Sequence, residues 1–200
     1  FLNAEQNYPV LKGTQTNLYK CFLPIAWRIT TDRGVSGFLH PEGVYDDPKG
    51  GNLREALYPR LKYHFQFVNV LKLFAEVLHW VTYSINIYGE TRTIPRFLNG
   101  SNIFSPVTVD DSIVHSGSGL PGGIKTDEGK WNTYGHRDRL LSVSEEELEL
   151  FASLYDPVGT PPLMARLPAL HSVQLVAVLR KFAAFPKRLG DLKDGYLSLE

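Results

Sequence analysis

Tyr63-His-Phe-Gln-Phe-Val-Asn-Val70 and Val81-Thr-Tyr-Ser-Ile-Asn-Ile-Tyr88 both alternate large apolar residues with polar ones, the second more cleanly. Side chains of an extended chain point to opposite faces in turn, so this alternation predicts two strands. Upstream, Gly34-Val-Ser-Gly-Phe-Leu39 reads as a short apolar strand ended by His40-Pro41. Further upstream, Asn17 to Thr30 places Leu18, Phe22, Ile25 and Ile29 at the spacing of one helical face, with a kink expected at Pro24. Between the first two strands, Asn52 and Glu55 stand in a capping-box arrangement for a short helix through Leu61. Helices alternating with strands predict an α/β layer built on a parallel sheet. The last two strands lie too close for a crossover helix, which predicts an antiparallel neighbour at the sheet edge.

Downstream the character changes. Residues 91 to 140 are rich in Gly, Ser, Asp and Pro, with Gly117-Ser-Gly-Leu-Pro-Gly-Gly123 the clearest loop. So long a stretch of weak periodicity reads as a linker or a functional loop region. Helical signals return at Ser144 and Glu147, a second capping box, with Leu148, Phe151, Ala152 and Tyr155 on one apolar face. His171 to Phe185 follows as another helix, with Val173, Val176, Leu179 and Phe182 apolar. The chain therefore divides by composition into 1–92, 93–140 and 141–200.

The 200 residues are 43% hydrophobic, enough to bury a core. Lys+Arg and Asp+Glu balance at 21 each, which excludes a protein that holds nucleic acid by net charge alone. The single cysteine, Cys21, cannot form an internal disulfide and suits a reducing, cytoplasmic setting. Charges and prolines interrupt the apolar runs before a membrane-spanning length. The chain opens on Phe1 and its one methionine is Met164, so a fragment of a longer protein is expected.

Complete active-site motifs are missing. Gly117-x-Gly119-x-x-Gly122 has the dinucleotide spacing, but the residues after it are not helical, so a plain loop is the better reading. Glu42, Asp47 and Lys49 resemble the acidic pair and lysine of magnesium-dependent nucleases, but Pro48 and Gly50-Gly51 make the segment a turn. Glu76 and His79 have helical metal-ligand spacing only once, and no metal site is expected. Of two basic clusters, the one around Arg180, Lys181, Lys187 and Arg188 reads as a solvated face. The other combines Trp131, Tyr134, His136, Arg137 and Arg139, where aromatics beside arginines suit nucleic-acid stacking.

Thr16-Asn-Leu-Tyr-Lys-Cys-Phe-Leu23 resembles the Thr-Asp/Asn-Leu-Tyr-x-x-Phe helix that follows the catalytic motif in adenine-N6 DNA methyltransferases of the bifunctional, Type IIG-like restriction–modification class. Gly34 to Leu39 with His40-Pro41-Glu42-Gly43 is similar to that family's next strand and its Pro-containing turn. Gly50-Gly51-Asn52-Leu53-Arg54 resembles its Gly-x-x-Leu-Arg helix start. Phe65-Gln-Phe67, Leu73-Phe74 and Tyr83-Ser84-Ile85 follow in the family's order, as the strand pair that closes the sheet. The resemblance covers about the first ninety residues, and its tail extends less securely through Trp131 and Gly135-His136-Arg137-x-Arg139.

The resemblance implies the C-terminal half of a Rossmann-like methyltransferase sheet, followed by a loop-rich segment and helices. It also implies transfer of a methyl group from S-adenosylmethionine to the N6 amine of an adenine extruded from double-stranded DNA. The family's cofactor loop and its Asn/Asp-Pro-Pro-aromatic motif precede this region. The chain alone is thus expected to carry no catalytic residue, to be inactive, and to depend on the remainder of its polypeptide. By position in the pattern, Pro41, Glu42, Tyr45 and Phe74 fall on the substrate side, and Trp131, His136, Arg137 and Arg139 on the DNA side. A non-catalytic DNA-binding or specificity module is the alternative. Half of such a sheet would leave an edge and an apolar face uncovered, so the isolated chain is expected to aggregate or fold poorly.

Overall fold

The computed structural model describes residues 6–15, 17–31 and 33–187. Phe1, Thr16 and Arg188 lie outside the described residues. The elements run α1 (Leu18–Ile29), β1 (Ser36–Pro41), α2 (Gly43–Asp46), α3 (Gly51–Leu57), β2 (Leu61–Val68), β3 (Thr82–Tyr88), β4 (Arg96–Ile103), α4 (Val107–Val114), β5 (Leu140–Ser144), α5 (Glu145–Tyr155) and α6 (Gln174–Ala184), with short 3-10 turns between them. The fold is α/β, a mixed five-stranded sheet in the order β1-β3-β2-β4-β5.

The expected parallel sheet is corrected. Only β2 and β4 pair in parallel, whereas β1–β3, β2–β3 and β4–β5 are antiparallel. The antiparallel strand also sits inside the sheet rather than at its edge, because β3 turns back beside β2 and takes β1 on its other side. Its register is shared, with Ser84 opposite both His40 and Gln66, and Asn86 opposite both Phe38 and His64. β1 and β2 consequently run in the same direction on either side of β3.

Helix α1 forms where expected, with the Asn17 side chain accepting from the Tyr19 N–H and Pro24 accommodated within it. Its buried face is not the one the spacing suggested. Lys20, Cys21 and Leu23 are buried, whereas Leu18, Phe22 and Ile29 are exposed. The inward side is chosen by what the sheet offers: Tyr19 stacks on His40, Trp27 meets the edge of Tyr88, and Lys20 reaches Asp47.

Helix α3 also departs from expectation, for Gly50 and not Asn52 is its N-cap, and it ends at Leu57. Arg54 explains the capping position. Its buried guanidinium donates to the carbonyls of Val44, Asp47 and Met164, and a Cβ at residue 50 would lie 2.8 Å from Nη1. The Ser144–Glu147 capping box is present at α5. The segment from 91 to 140, expected to be loop, contains β4 and α4, while the glycines from Gly117 to Gly123 do lie outside helix and strand.

The main core joins Leu11, Leu23, Leu53, Tyr58, Leu61, Phe97, Val143, Phe151, Leu167 and Val176, so residues from all three compositional stretches share it. A smaller cluster of Phe65, Phe67, Tyr83 and Ile103 lies on the other sheet face, where Val109 of α4 packs against it. No helix among the described residues is long and apolar enough to cross a membrane.

Candidate functional site

The face of the sheet beneath α1–α3 is lined by polar side chains. His40 of β1, Ser84 and Asn86 of β3, His64 and Gln66 of β2, and Asn99 and Ser101 of β4 are all buried there. Buried polar groups are costly unless paired, and these are paired in one continuous seam. His64 Nε2 lies 3.2 Å from Glu42 Oε1, and His64 Nδ1 lies 2.6 Å from Asn99 Oδ1. Gln66 Nε2 donates to Glu42 Oε2 at 3.1 Å, while Gln66 Oε1 accepts from the N–H of Asn102. Tyr45 donates to Asn86 Oδ1, and the Asn86 amide donates in turn to Ser84. His40 Nδ1 donates to the Pro41 carbonyl at 2.8 Å, and its Nε2 faces the Tyr88 hydroxyl.

These surroundings set the charges. Burial on its own would raise the Glu42 carboxyl, but the opposing His64 and hydrogen bonds from His64, Ser84 and Gln66 hold it below its ordinary value. Burial lowers His40, so that ring stays neutral. Burial and then the nearby Glu42 charge raise Asp46. Burial also raises the hydroxyls of Tyr45, Tyr58 and Tyr88.

Two openings flank the carboxyl end of β1. A broad polar groove of about 900 Å³ is lined by Tyr19, Lys20, Pro41, Asp46, Asp47 and Lys49. A smaller cleft of about 270 Å³ is lined by Glu42, Tyr45, Asp46, Gln66, Tyr155 and Arg166 among others. Asp46 borders both.

Among the residues assigned to the substrate side, Glu42 and Tyr45 share the small cleft and Pro41 lines the groove. Phe74 stands apart from them, in the connection after β2, where its ring meets Tyr83 edge-on at 5.0 Å on the opposite face. Asn69 shapes that connection, its amide donating to the carbonyls of Phe74 and Val77 and its oxygen accepting from the Phe74 N–H.

The residues assigned to the DNA side separate as well. His136 and Arg139 are buried: Arg139 donates to the carbonyls of Asn102 and Tyr134, and His136 accepts from the Asp138 N–H and donates to the Ser118 carbonyl. Burial lowers Arg139 to about 10. Their polar groups are directed into the fold, whereas the sequence reading had them facing DNA. Arg137 is exposed, as is Tyr134, while Trp131 is partly covered, with the Lys125 ammonium 3.2 Å from its ring centroid.

The nuclease-like set does not converge. Glu42 is bound to His64, whereas Asp47 pairs with Lys20 at 3.1 Å and caps the Lys49 N–H. Glu76 and His79 lie in an irregular connection, not on a helix. No group of His, Cys, Asp and Glu among the described residues is arranged to hold a metal.

The residues that line or link this site, His64, Gln66, Asn99, Tyr155 and Arg166, were not assigned to a site from the sequence. The signal was present in the polar positions of the two alternating strands, but solvent-facing residues produce the same pattern.

No protein-family model matches the sequence, and neither does any curated protein. Among solved structures, the chain is similar to the type IIG restriction endonuclease BpuSI, at 19% identity and a TM-score of 0.42, over 72% of this chain and 16% of that one. It is similar to a chain of a type I restriction–modification complex at 14% identity and a TM-score of 0.43, over 86% and 37% of the two chains. It is also similar to the M protein of the type I restriction enzyme EcoKI at 14% identity and a TM-score of 0.43, over 96% and 52%. The chain thus spans 16–52% of the length of these three structures.

Proposed function

We propose that this chain is part of an S-adenosylmethionine-dependent DNA methyltransferase of a restriction–modification or phage-defence system, acting on the N6 amine of adenine in double-stranded DNA. The supporting observation is where β1 and β2 end. They run in the same direction, and their carboxyl ends bring Glu42, Tyr45 and Gln66 to one cleft. Ligands of open α/β sheets bind at such ends, and the ordered motifs of the first ninety residues support the choice of reaction.

In this reading residues 1–92 are the C-terminal part of a Rossmann-like methyltransferase core, 93–140 a DNA-contact segment and 141–200 a helical segment. Pro41, Glu42, Tyr45 and Phe74 serve the substrate, and S-adenosylmethionine binds elsewhere in the parent polypeptide. Arg137, Tyr134 and Trp131 provide the DNA contacts of the 93–140 segment. The chain alone is inactive.

The test is methyl transfer from labelled S-adenosylmethionine to duplex DNA by the intact parent protein, with the DNA then digested to nucleosides. N6-methyladenine is the expected product, and Phe74→Ala in the parent lowers its yield. Transfer to cytosine, or none, overturns the reading. Arg137→Ala is expected to weaken DNA binding and to reduce its salt dependence by about one counterion. If methyl transfer fails while DNA binding depends on Arg137, the chain is a non-catalytic DNA-binding module.

A further inference from the structure

We propose that a pocket at the opposite end of the sheet from the Glu42 cleft, between the end of α1 and the amino ends of β1 and β2, binds a phosphate group, with Arg60 as its main contact. The strand register places it there. Ser36 of β1 and Leu61 of β2 both lie opposite Tyr88 of β3, so Ser36, Arg60 and Gly89 meet at one end. The pocket holds about 410 Å³, room for a phosphate and a small group that carries it. Trp27, Thr31, Ser36, Arg60, Glu90 and Thr91 contribute to its lining.

Donors outnumber acceptors in this pocket. The half-buried Arg60 guanidinium lies 5.3 Å from the centroid of the Trp27 ring, and its Nη1 donates to the Ala56 carbonyl at 2.6 Å. Its other N–H groups have no acceptor among the described residues, and no carboxylate pairs with it there. Burial lowers its pKa with no opposing cause, so the fold itself does not compensate this charge. Lys62 brings a second cation, its ammonium lying beside Gly89 of the lining. Buried donors are ordinarily paired, yet three side-chain nitrogens buried among the described residues have no partner. Two of them, Trp27 Nε1 and Arg92 Nε, belong to this end of the molecule, where Arg92 donates to the carbonyls of Leu61 and Pro59.

Thr31, Ser36 and Thr91 add hydroxyls to these charged donors. The carbonyls that end α1 would repel an anion, but they are turned to internal donors. Ala26 O accepts from the N–H and the hydroxyl of Thr30, and Thr31 O accepts from the Gly34 N–H. Glu90 is the one acidic residue among the described lining, and it is exposed. A guanidinium ringed by donors selects an oxyanion, and phosphate offers several strong acceptor oxygens to such a set. The inference does not rest on the methyltransferase reading, whose ligands lie at the carboxyl ends of β1 and β2.

The full chain, labelled with nitrogen-15, is titrated with inorganic phosphate and, at equal ionic strength, with chloride. Phosphate is expected to shift the Trp27 indole N–H and the amides of Gly89 and Thr91 to saturation. Arg60→Gln should weaken binding about tenfold. Glu90→Gln, at an exposed position, should tighten it about threefold, a gain that a misfolded variant does not produce. Shifts that chloride reproduces, or that persist unchanged in Arg60→Gln, overturn the proposal. Two more probes identify the source of the phosphate. Thymidine monophosphate presents a monoester, and a short oligothymidylate without a terminal phosphate presents diesters alone. Tighter binding of the first sustains the proposal as a site for free phosphate or mononucleotides, and of the second as a site for a nucleic-acid backbone. Binding of neither makes inorganic phosphate an adventitious ion and overturns it.

Discussion

The two faces of the sheet depart from the usual arrangement in its central rows. Under α1, α2 and α3 the strands present His64, Gln66, Ser84, Asn86 and Asn99, each less than a tenth exposed, while the opposite face carries Leu39 at 54%, Tyr63 at 42% and Ile85 at 37% exposure. A half-buried antiparallel sheet ordinarily turns apolar residues inward and polar ones to water. Here the polar groups lie on the covered face, paired with one another, and the apolar face is only partly covered, by α4 against the Phe65–Tyr83 cluster. The lesson is that alternation reports a strand but not which side faces water. An open apolar surface of this kind is typical of interaction sites.

Truncations that probe each face provide the largest expected contrast. Phe151→Ala, in the fully buried core behind the polar face, should cost about 3–5 kcal/mol in urea unfolding. Ile85→Ala on the open face should cost less than about 1 kcal/mol. Equal losses would mean that the open face is covered in solution, and the comparison would collapse.

Within the polar seam, His64→Leu leaves the Glu42 carboxylate buried without its imidazole partner. A loss of about 3–5 kcal/mol is expected, part of it recovered when Glu42→Gln is added. Independent, additive losses would show that the pair is not coupled.

Acid should act on the covered face first. His40 and Glu42 both have folded pKa values below their ordinary 6.5 and 4.5, so the unfolded chain binds protons more readily than the folded one. Their stabilisation is complete above those ordinary values and is lost as pH falls, from 6.5 downward for His40 and from 4.5 downward for Glu42. A His40→Gln variant whose urea midpoint still fell through the upper window would remove His40 from the account.

The smallest effect on stability belongs to the open face. Leu39→Lys with Ile85→Lys should change unfolding free energy by no more than about 1 kcal/mol while reducing aggregation and apolar-dye binding. Unchanged dye binding would place the sticky surface elsewhere, for example on the exposed Leu18–Phe22–Ile29 stripe of α1.

Part of the site was legible in advance. The turn after β1 placed Glu42 and Tyr45 at a strand's carboxyl end, and both do line a cleft there. Phe74, grouped with them, does not line that cleft: the hydrogen bonds of Asn69 fix the connection after β2, where its ring packs on Tyr83. Strand β4 was missed for the same reason that the seam was missed. In Arg96-Phe-Leu-Asn-Gly-Ser-Asn-Ile103, the residues that make it an inner strand are Asn99 and Ser101, which read as loop composition. Arg139 was grouped with the DNA-side residues, and only the path of the chain around Asn102 and Tyr134 shows it to be enclosed.

The sequence by itself determined the local periods: helices at α1, α5 and α6, the strands β1, β2 and β3, and the capping box that starts α5. These depend on neighbours within a few residues, where side-chain spacing and backbone preference act directly. Tertiary structure alone decided which side of α1 and of each strand is buried, that β3 lies between β1 and β2, and that Glu42 meets His64. Those outcomes depend on pairing free energies between residues far apart in the chain. A polar residue fits the interior only where a partner is brought within hydrogen-bonding distance, and no local pattern records where that partner will be.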